Sequence, residues 1–461
     1  NHPPMIDVGL TVYDFVDEAT ALTVDHMVTV TGNHLMQAVN CYGGISVESY
    51  VYKNNGTTDY ALAATITDNI LEDIWGYESG SDYYYGDIIS VYSDVYADLG
   101  TVSSDSSAIV EGNQIFGAMP EDADSWNLWG IGVDMEIGTE GHQALDVESL
   151  VYISIIDNLV DGLKGGAWAY VDYWMDDTVG NWVMDVTVHM DSNQMFNVTY
   201  GLWYAMYDWA EFGSDYWPYY DEIAVANHTL NYVVTADNNE VTSIYLGSDM
   251  EYGIIYVDVN YGAEVDPSTL FTEAYVHVAG SISISGNQIT QTDGRNAMIT
   301  LYQYSYSEKT GVLDVAVDMA VENNVLNNVH SMYAMVDPAW YGIYVFEYVS
   351  LDGNYDIPTD SPTLMADVSW SITGNQVVGP FENGIGVQLV TEAESPGWNL
   401  VQNYVLDMSG NTVDFAFTGG MGMTLGQELD GIGYTEMNLD VNILDNVLNM
   451  SEVYDLGRDS T

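Results

Sequence analysis

The stretch WSITGNQVVG (residues 370–379) places a Gly-Asn pair between two apolar runs, and the same pattern returns along the chain. Related stretches are TVTGNHLM (29–36), IVEGNQIF (109–116), HMDSNQMF (189–196) and SISGNQIT (283–290). Glycine and asparagine tolerate the positive φ angles of tight turns, and alternating apolar residues are typical of strands. We therefore predict a turn between two strands at each asparagine of this first set: Asn33, Asn113, Asn193, Asn287 and Asn375.

A second set of turns carries Asp-Asn or Asn-Asn instead, as in ATITDNILEDI (64–74) and ISIIDNLVDGL (153–163). Its turns lie near Asn69, Asn158, Asn238, Asn324 and Asn446. Because such pairs are typical of β-hairpins, the two sets predict about five tandem units with at least two hairpins each. The approximate units are residues 20–100, 101–180, 181–270, 271–360 and 361–461. A gapless match of residues 183–206 with residues 312–335 pairs the two sets differently, so the register of the repeat stays open.

Strand patterning predicts an all-β fold. The stretch GVLDVAVDMAV (residues 311–321) alternates apolar and acidic residues, which gives a strand one face to bury and one face in water. The face to be buried holds Leu313, Val315, Val317 and Met319. The acidic face holds Asp314 and Asp318. We predict tandem antiparallel β-hairpin repeats that form large sheets, either sandwich-like or extended, with a broad anionic surface.

The charge of the chain restricts its partners. Its 461 residues include 69 acids and 5 bases, for a formal net charge of -64. Such a surface repels nucleic acid and anionic lipid, since phosphate binding depends on Lys and Arg. It also repels further copies of the chain, and at physiological salt this repulsion is screened over about 8 Å. Self-association is therefore expected to need high salt or divalent cations such as Ca²⁺.

Several features predict an exported protein. The start NHPPMIDVGL has no initiator Met, basic segment or apolar core, which is typical of a chain after signal removal. Apolar runs stay shorter than the roughly 18 residues of a transmembrane helix. A single cysteine, Cys41, excludes an intrachain disulfide and is expected to be a buried thiol. Asn-x-Ser/Thr sequons suggest glycosylation at Asn55, Asn197, Asn227 and Asn449. We expect an extracellular or cell-surface location.

One segment is a candidate calcium site. DGNYDIPTD (residues 352–360) presents oxygen ligands at alternate positions, as an EF-hand loop does. It departs from that loop at Ile357, where glycine is needed, and at Thr363, where the bidentate Glu belongs. The segment therefore predicts a looser calcium-binding turn formed by Asp352, Asn354, Asp356 and Asp360. Phosphate-binding loops, nucleophile elbows and paired-histidine motifs do not appear, so we predict no enzymatic activity and no organic cofactor.

Aromatic residues cluster in GLWYAMYDWAEFGSDYWPYYDE (residues 201–222). The cluster holds Trp203, Trp209, Trp217, Tyr219 and Tyr220. Three interpretations are open: packing between sheets, an interface with another protein, or a platform that stacks sugar rings.

The acidic, cysteine-poor composition and the repeated GNQ and DN turns resemble archaeal surface-layer and tubular sheath proteins, those of methanogens among them. The resemblance implies a coat outside the membrane, built from copies of one chain and stabilised by cations. We therefore expect an exported structural protein that assembles into a cell-surface layer, tube or sheath through β-sheet and aromatic interfaces. The alternatives are an extracellular glycan-binding or adhesive protein and a secreted β-propeller-type hydrolase.

Overall fold

A computed structural model describes most of the chain. The described residues are 5–15, 20–36, 43–74, 86–98, 100–117, 128–140, 145–176, 180–212, 224–244, 253–265, 272–292, 297–308, 311–329, 339–352, 362–395 and 397–450. Cys41 lies outside these residues.

The chain winds into a parallel β-solenoid. Each coil contributes one strand to an eleven-strand sheet and two strands to a second, 20-stranded sheet. The eleven-strand sheet consists of β2 (Thr20–Thr31), β5 (Gly56–Thr67), β8 (Gly100–Glu111), β11 (Leu145–Ile156), β14 (Asn181–His189), β17 (Ala224–Thr235), β20 (Thr272–Ser285), β23 (Val312–Glu322), β26 (Thr363–Thr373), β28 (Asn399–Ser409) and β30 (Tyr434–Leu444).

The second sheet contains a long and a short strand from each coil. The long-strand face consists of β1 (Ile6–Asp14), β4 (Ile45–Lys53), β7 (Gly86–Ala97), β10 (Leu128–Glu140), β13 (Gly165–Asp176), β16 (Tyr200–Phe212), β19 (Ile255–Val265), β22 (Ile299–Glu308) and β25 (Ala339–Asp352). The short-strand face consists of β3 (His34–Met36), β6 (Ile70–Ile74), β9 (Gln114–Gly117), β12 (Leu159–Asp161), β15 (Gln194–Val198), β18 (Glu240–Ile244), β21 (Gln288–Thr292), β24 (Val325–Val329) and β31 (Val447–Met450). In β27 (Gln376–Ser395) and β29 (Thr412–Gly431) the two strands of a coil run together, so these two strands belong to both faces.

The prediction of antiparallel hairpins is wrong, because strands that follow one another in sequence do not pair. β2 pairs with β5, for example, and all pairings of the described strands are parallel. A type I′ hairpin turn needs two consecutive residues with positive φ, whereas each turn here has one, such as Asp68 with φ of 55°. The turn therefore directs the chain around a corner into the second sheet and does not reverse it.

The turns of both predicted sets are equivalent positions of one coil. In each, a residue with positive φ precedes a buried or half-buried asparagine, as Gly374 (φ 66°) precedes Asn375. Glycine, Asp, Asn and Ser fill the positive-φ position at little steric cost. The asparagines stack along the solenoid axis in an asparagine ladder: Asn33, Asn69, Asn113, Asn158, Asn193, Asn239, Asn287, Asn324, Asn375, Asn411 and Asn446.

Two details differ from the sequence prediction. Near residue 238 the ladder member is Asn239, and Asn238 is the positive-φ residue before it. Asn411, which neither predicted set contained, is also a member. A predicted unit such as 101–180 therefore includes two ladder positions, Asn113 and Asn158.

The core lies between the two sheets and follows the predicted alternation. In β23 the four apolar residues from Leu313 to Met319 are buried, while Asp314 and Asp318 point outward. The core also encloses a polar group, Glu347 of β25, whose carboxylate is reached by the hydroxyl of Tyr404 at 3.3 Å. Burial raises the pKa of Glu347 to about 8, so this carboxyl is held protonated at neutral pH.

Candidate functional site

The last of the described coils leaves several of its inward side chains exposed. In β30, Ile443 is 53% exposed, whereas Met408, at the same position on β28 one coil earlier, is fully buried. We call this set of residues the C-terminal end surface. It consists of Met421, Met423, Leu425, Met437, Leu439, Val441, Ile443 and Leu448.

The first coil presents a corresponding row at the opposite end. Among the described strands, β1, β2 and β3 each pair on one side only, with β4, β5 and β6. Their inward residues pack on the second coil: Ile6, Val8, Leu10 and Leu35 stay partly exposed, whereas Val24, Val28 and Val30 are only 7–8% exposed. We call this set the N-terminal end surface. It consists of Ile6, Val8, Leu10, Val24, Val28, Val30 and Leu35.

The asparagine ladder gives the solenoid a chemical direction. At each step the backbone N–H and the Nδ2 of one asparagine donate to Oδ1 of the asparagine in the next coil, as Asn193 does to Asn239 at 2.8 and 3.2 Å. Within the described residues, Asn33 Oδ1 accepts no hydrogen bond and the Asn446 backbone N–H donates none. One end of the ladder is thus an open acceptor and the other an open donor.

The outward side of the long-strand face is rich in aromatic rings. We call these rings the aromatic face. It consists of Trp168, Tyr170, Trp174, Trp203, Tyr207, Trp209, Tyr256, Tyr302, Tyr304, Tyr306, Tyr344, Phe346 and Tyr348. Neighbouring coils bring the rings into contact: Tyr304 and Tyr348 stack with centroids 5.1 Å apart and planes 5° apart.

Glycines make room for the largest of these rings. A Cβ added at Gly262 would lie 2.8 Å from the Trp209 ring, and one added at Gly138 would lie 2.5 Å from the Trp174 ring. Each indole therefore lies over the glycine of a neighbouring coil. Trp209 reaches across Gly262 to stack on Tyr306, with centroids 5.3 Å apart.

Carboxylates adjoin the aromatic face on its N-terminal side. Asp94, Glu136 and Asp172 occupy one position on the consecutive strands β7, β10 and β13, and Asp134 lies two residues before Glu136. We call these four residues the carboxylate patch. Burial, together with the nearby charge of Glu136, raises the pKa of Asp134 to about 8 and those of Asp94 and Asp172 to about 6. Tyr92 donates to Glu136 Oε2 at 2.8 Å.

The predicted aromatic cluster is divided by the fold. Trp203 and Trp209 of β16 both belong to the aromatic face, where Trp209 is 38% exposed. Trp217, Tyr219 and Tyr220 lie outside the described residues. Packing between sheets does not describe Trp209, which points outward.

The predicted calcium turn falls mostly outside the described residues. Asp352 is half-buried at the end of β25, opposite Glu394 of β27 in the strand register. Asn354, Asp356 and Asp360 are outside the described residues. Among the residues that are described, no group of three or more His, Cys, Asp or Glu could hold a metal ion.

The four sequon asparagines all lie in the described part of the chain. Asn197 and Asn227 are exposed, and their Nδ2 atoms donate to Asp161 at 2.7 Å and to Asn181 at 2.9 Å. Asn55 is half-buried in the turn between β4 and β5. Asn449 is exposed in the last short strand. Glycosylation at these positions stays a prediction.

Sequence reasoning missed the end surfaces, the asparagine ladder and most of the aromatic face. The ladder had a usable signal, since every turn of both sets contains an asparagine. The aromatic face had none within a local window: Tyr306 and Trp209 meet only because the coil register aligns β16, β19 and β22.

Comparison with known protein families, curated proteins and solved structures finds no match to this chain. In the part of the chain that is described, no helix is long and apolar enough to cross a membrane.

Proposed function

We propose that this chain is an exported structural protein that joins end to end with copies of itself into a tube, sheath or layer at the cell surface. The observation that carries the proposal is the exposed C-terminal end surface, which the partly exposed N-terminal end surface matches in the coil register. An apolar cross-section left in water is unfavourable, and a surface of this kind marks an interaction site. A second copy offers the N-terminal end surface to cover it.

The coil register defines how two copies would meet. If the first coil of one copy continues the last coil of another, Met421 meets Ile6, Met423 meets Val8 and Leu425 meets Leu10. On the eleven-strand sheet, Val441 meets Val28 and Ile443 meets Val30 by the same register. Apolar residues therefore meet apolar residues across the joint.

The asparagine ladder continues across the same joint. The N–H and Nδ2 of Asn446 would donate to Asn33 Oδ1 of the next copy, as each ladder member does within the chain. Only a head-to-tail arrangement supplies a donor end to an acceptor end. The ladder therefore favours a polar filament over a symmetric dimer.

The edge strands carry few of the devices that prevent pairing. Natural edges are blocked by Lys, Pro, bulges or short strands, but β30 spans 11 residues and its sequence YTEMNLDVNIL has neither Lys nor Pro. Its outward acids are Glu436 and Asp440, which the register sets opposite Thr23 and Met27 of the next copy. Acids thus avoid direct contact with acids, and the remaining repulsion is long-ranged and screened by salt.

The free energy gained at the joint is similar to the cost of association, so assembly should depend on the solution conditions. Covering the five half-exposed aliphatic side chains of the C-terminal end surface and the less exposed residues of the N-terminal end surface contributes roughly 6 kcal/mol, while association costs about 4–15 kcal/mol before charge repulsion. These terms are similar in size, so protein concentration, salt and divalent cations decide the outcome. The candidate calcium residue Asp352 and the exposed acids are where we propose that such cations act.

A pair of variants tests the proposal. Ile443→Glu adds a charge to the C-terminal end surface, and Val405→Glu adds the same charge on β28, where Val405 is 44% exposed but points away from the joint. Sedimentation velocity in high salt with calcium and magnesium should show large assemblies for the wild type and Val405→Glu, and monomers for Ile443→Glu. Equal behaviour of the two variants, or no assembly of the wild type, would refute the end-to-end joint.

A further inference from the structure

The aromatic face lies on the side of the solenoid, away from both end surfaces, and end-to-end assembly does not use it. Its rings form a continuous series of contacts across β16, β19, β22 and β25, from Trp203 through Tyr256 and Tyr302 to Phe346, with centroids 5.3 to 6.3 Å apart. Trp203, Tyr302 and Phe346 are half-buried and Tyr256 is 6% exposed, whereas Tyr207 and Trp209 beside them are 37% and 38% exposed. A contiguous row of rings with partly exposed members is characteristic of binding sites. The question is which ligand chemistry it fits.

Charge excludes anionic ligands. Strands β13, β16, β19, β22 and β25 contain no lysine or arginine. Lys53, one of the few bases, points inward and bonds Asp14 Oδ2 at 2.7 Å. The carboxylate patch adjoins the rings, so an anionic partner would meet repulsion with no Lys or Arg on these five strands to offset it. A second copy of the same face would bring two carboxylate patches together, which opposes side-by-side self-association.

Aromatic rings and hydrogen-bonding groups lie side by side on the aromatic face, which is the combination that a sugar ligand needs. Asp258 of β19 accepts hydrogen bonds from Tyr256 at 3.1 Å and from Tyr207 at 3.3 Å, so carboxylate and phenol groups lie among the rings. A pyranose has the same dual character, with C–H faces that pack on aromatic rings and hydroxyls that bond to carboxylates. Ring faces carry partial negative charge and attract such C–H groups.

The spacing between neighbouring coils suits a ligand that is a sugar polymer. Neighbouring strands are about 4.8 Å apart, which is close to the length of one pyranose unit in an extended chain. A linear glycan lying along the solenoid axis would therefore set about one sugar on each coil. Trp168, Trp203 and Tyr256 occupy one position on three consecutive coils. Trp168 and Trp203 are partly exposed and provide successive rings along that path, while Tyr256 is 6% exposed and supports Trp203 from the next coil.

We propose that the aromatic face binds a linear polysaccharide without negative charge, with its sugar rings stacked on the Trp and Tyr rings along the solenoid axis. The hydroxyls of the glycan bond to Asp258 and to the carboxylate patch. Trp209 and Tyr207 contribute the most accessible rings of β16, at 38% and 37% exposure.

Affinity electrophoresis of the full chain tests the proposal with matched polymers. The neutral probes are hydroxyethylcellulose, xylan, galactomannan and glycol chitin, and the anionic counterpart is carboxymethylcellulose. At least one neutral polymer should retard the protein equally at low and high salt, and carboxymethylcellulose should not. No retardation by any neutral polymer would overturn the proposal, as would equal retardation by carboxymethylcellulose.

Variants locate the binding. Trp209→Ala should weaken the retardation about fivefold or more, as loss of an aromatic anchor does in other interfaces. Tyr275→Ala removes a 42% exposed ring from β20 in the eleven-strand sheet and should leave binding unchanged. Tyr207→Ala provides a second test if Trp209→Ala does not fold, as judged by circular dichroism. Unchanged binding in a folded variant of the aromatic face, or its loss in Tyr275→Ala, would overturn the assignment of the site.

Discussion

Replacing Asn239 in the middle of the asparagine ladder tests how the coils are held together. Its Oδ1 accepts from the N–H and Nδ2 of Asn193, and its Nδ2 donates to Asn287 Oδ1 at 2.9 Å and to the Met190 carbonyl at 2.8 Å. Alanine removes all four hydrogen bonds at a position that is 1% exposed. The backbone N–H of Asn193 is then left buried without an acceptor.

The expected cost follows from these losses. A buried donor without a partner costs about 1–3 kcal/mol, and each of the other three hydrogen bonds contributes about 0.5–1.5 kcal/mol. Asn239→Ala should therefore destabilise its region by roughly 3–7 kcal/mol. Because repeat solenoids can open coil by coil, hydrogen exchange of individual amides is a better measure than global unfolding. Exchange of the Asn193 amide should accelerate by more than about a hundredfold.

Asn33→Ala is the matched control, since it changes the same residue at the end of the ladder. It removes two donor contacts, to Asn69 Oδ1 at 2.9 Å and to the Thr31 carbonyl at 3.2 Å, and leaves no buried donor without an acceptor. Its cost should be about 1 kcal/mol. If both variants have the same effect on exchange in their own coils, the ladder does not stabilise the fold as argued.

Three further predictions concern the core, the packing and the charge. Glu347 holds its proton up to pH about 8 in the fold but releases it above pH about 4.5 in the unfolded chain. The free energy of unfolding should therefore fall as pH rises between these two values. Glu347→Gln should flatten this pH dependence in urea unfolding. Gly280→Ala places a Cβ 2.1 Å from the buried Tyr232 ring and should lower the stability measured by thermal unfolding by about 1–3 kcal/mol. Gly9→Ala is the control: its Cβ meets no atom within 4 Å, so the stability should hardly change. Calcium or magnesium should lower the protein concentration at which light scattering appears more than sodium chloride of equal ionic strength; equal effects would count against bridging cations.

Local features of the fold could be predicted from the sequence. The alternation in β23 identified its buried and outward residues, and the Gly-Asn and Asp-Asn pairs identified turns with positive φ. Pairing could not be predicted in the same way, because a corner turn and a hairpin turn use the same residue types. What distinguishes them is the strand that lies opposite, which belongs to a different coil.

A non-local signal was nevertheless present in the ladder. Members of the asparagine ladder follow one another at intervals of 35 to 51 residues, including Asn411 between Asn375 and Asn446. A hairpin tip leaves its asparagine in water, whereas a buried asparagine in every turn needs a partner of its own kind. Treating both predicted sets as one series would have favoured a coil over a hairpin.

The candidate surfaces depend on this register even more. Trp203 and Trp209 could be chosen locally because they lie in one aromatic segment. Their partners Tyr256 and Tyr306 come from other strands, and only the parallel register of β16, β19 and β22 brings them together. The end surfaces have no sequence signature, since Ile443 occupies the same alternating pattern as the buried Met408.

Electron microscopy of the purified full chain, in high salt with calcium and magnesium, tests the end-to-end account most directly. Eleven coils at about 4.8 Å each give an axial repeat of about 53 Å for one copy. We predict polar filaments, tubes or sheets built from filaments with that repeat, which disperse when the divalent cations are chelated. Single particles under every condition, or a repeat of twice that length from copies that alternate in direction, would contradict the head-to-tail joint.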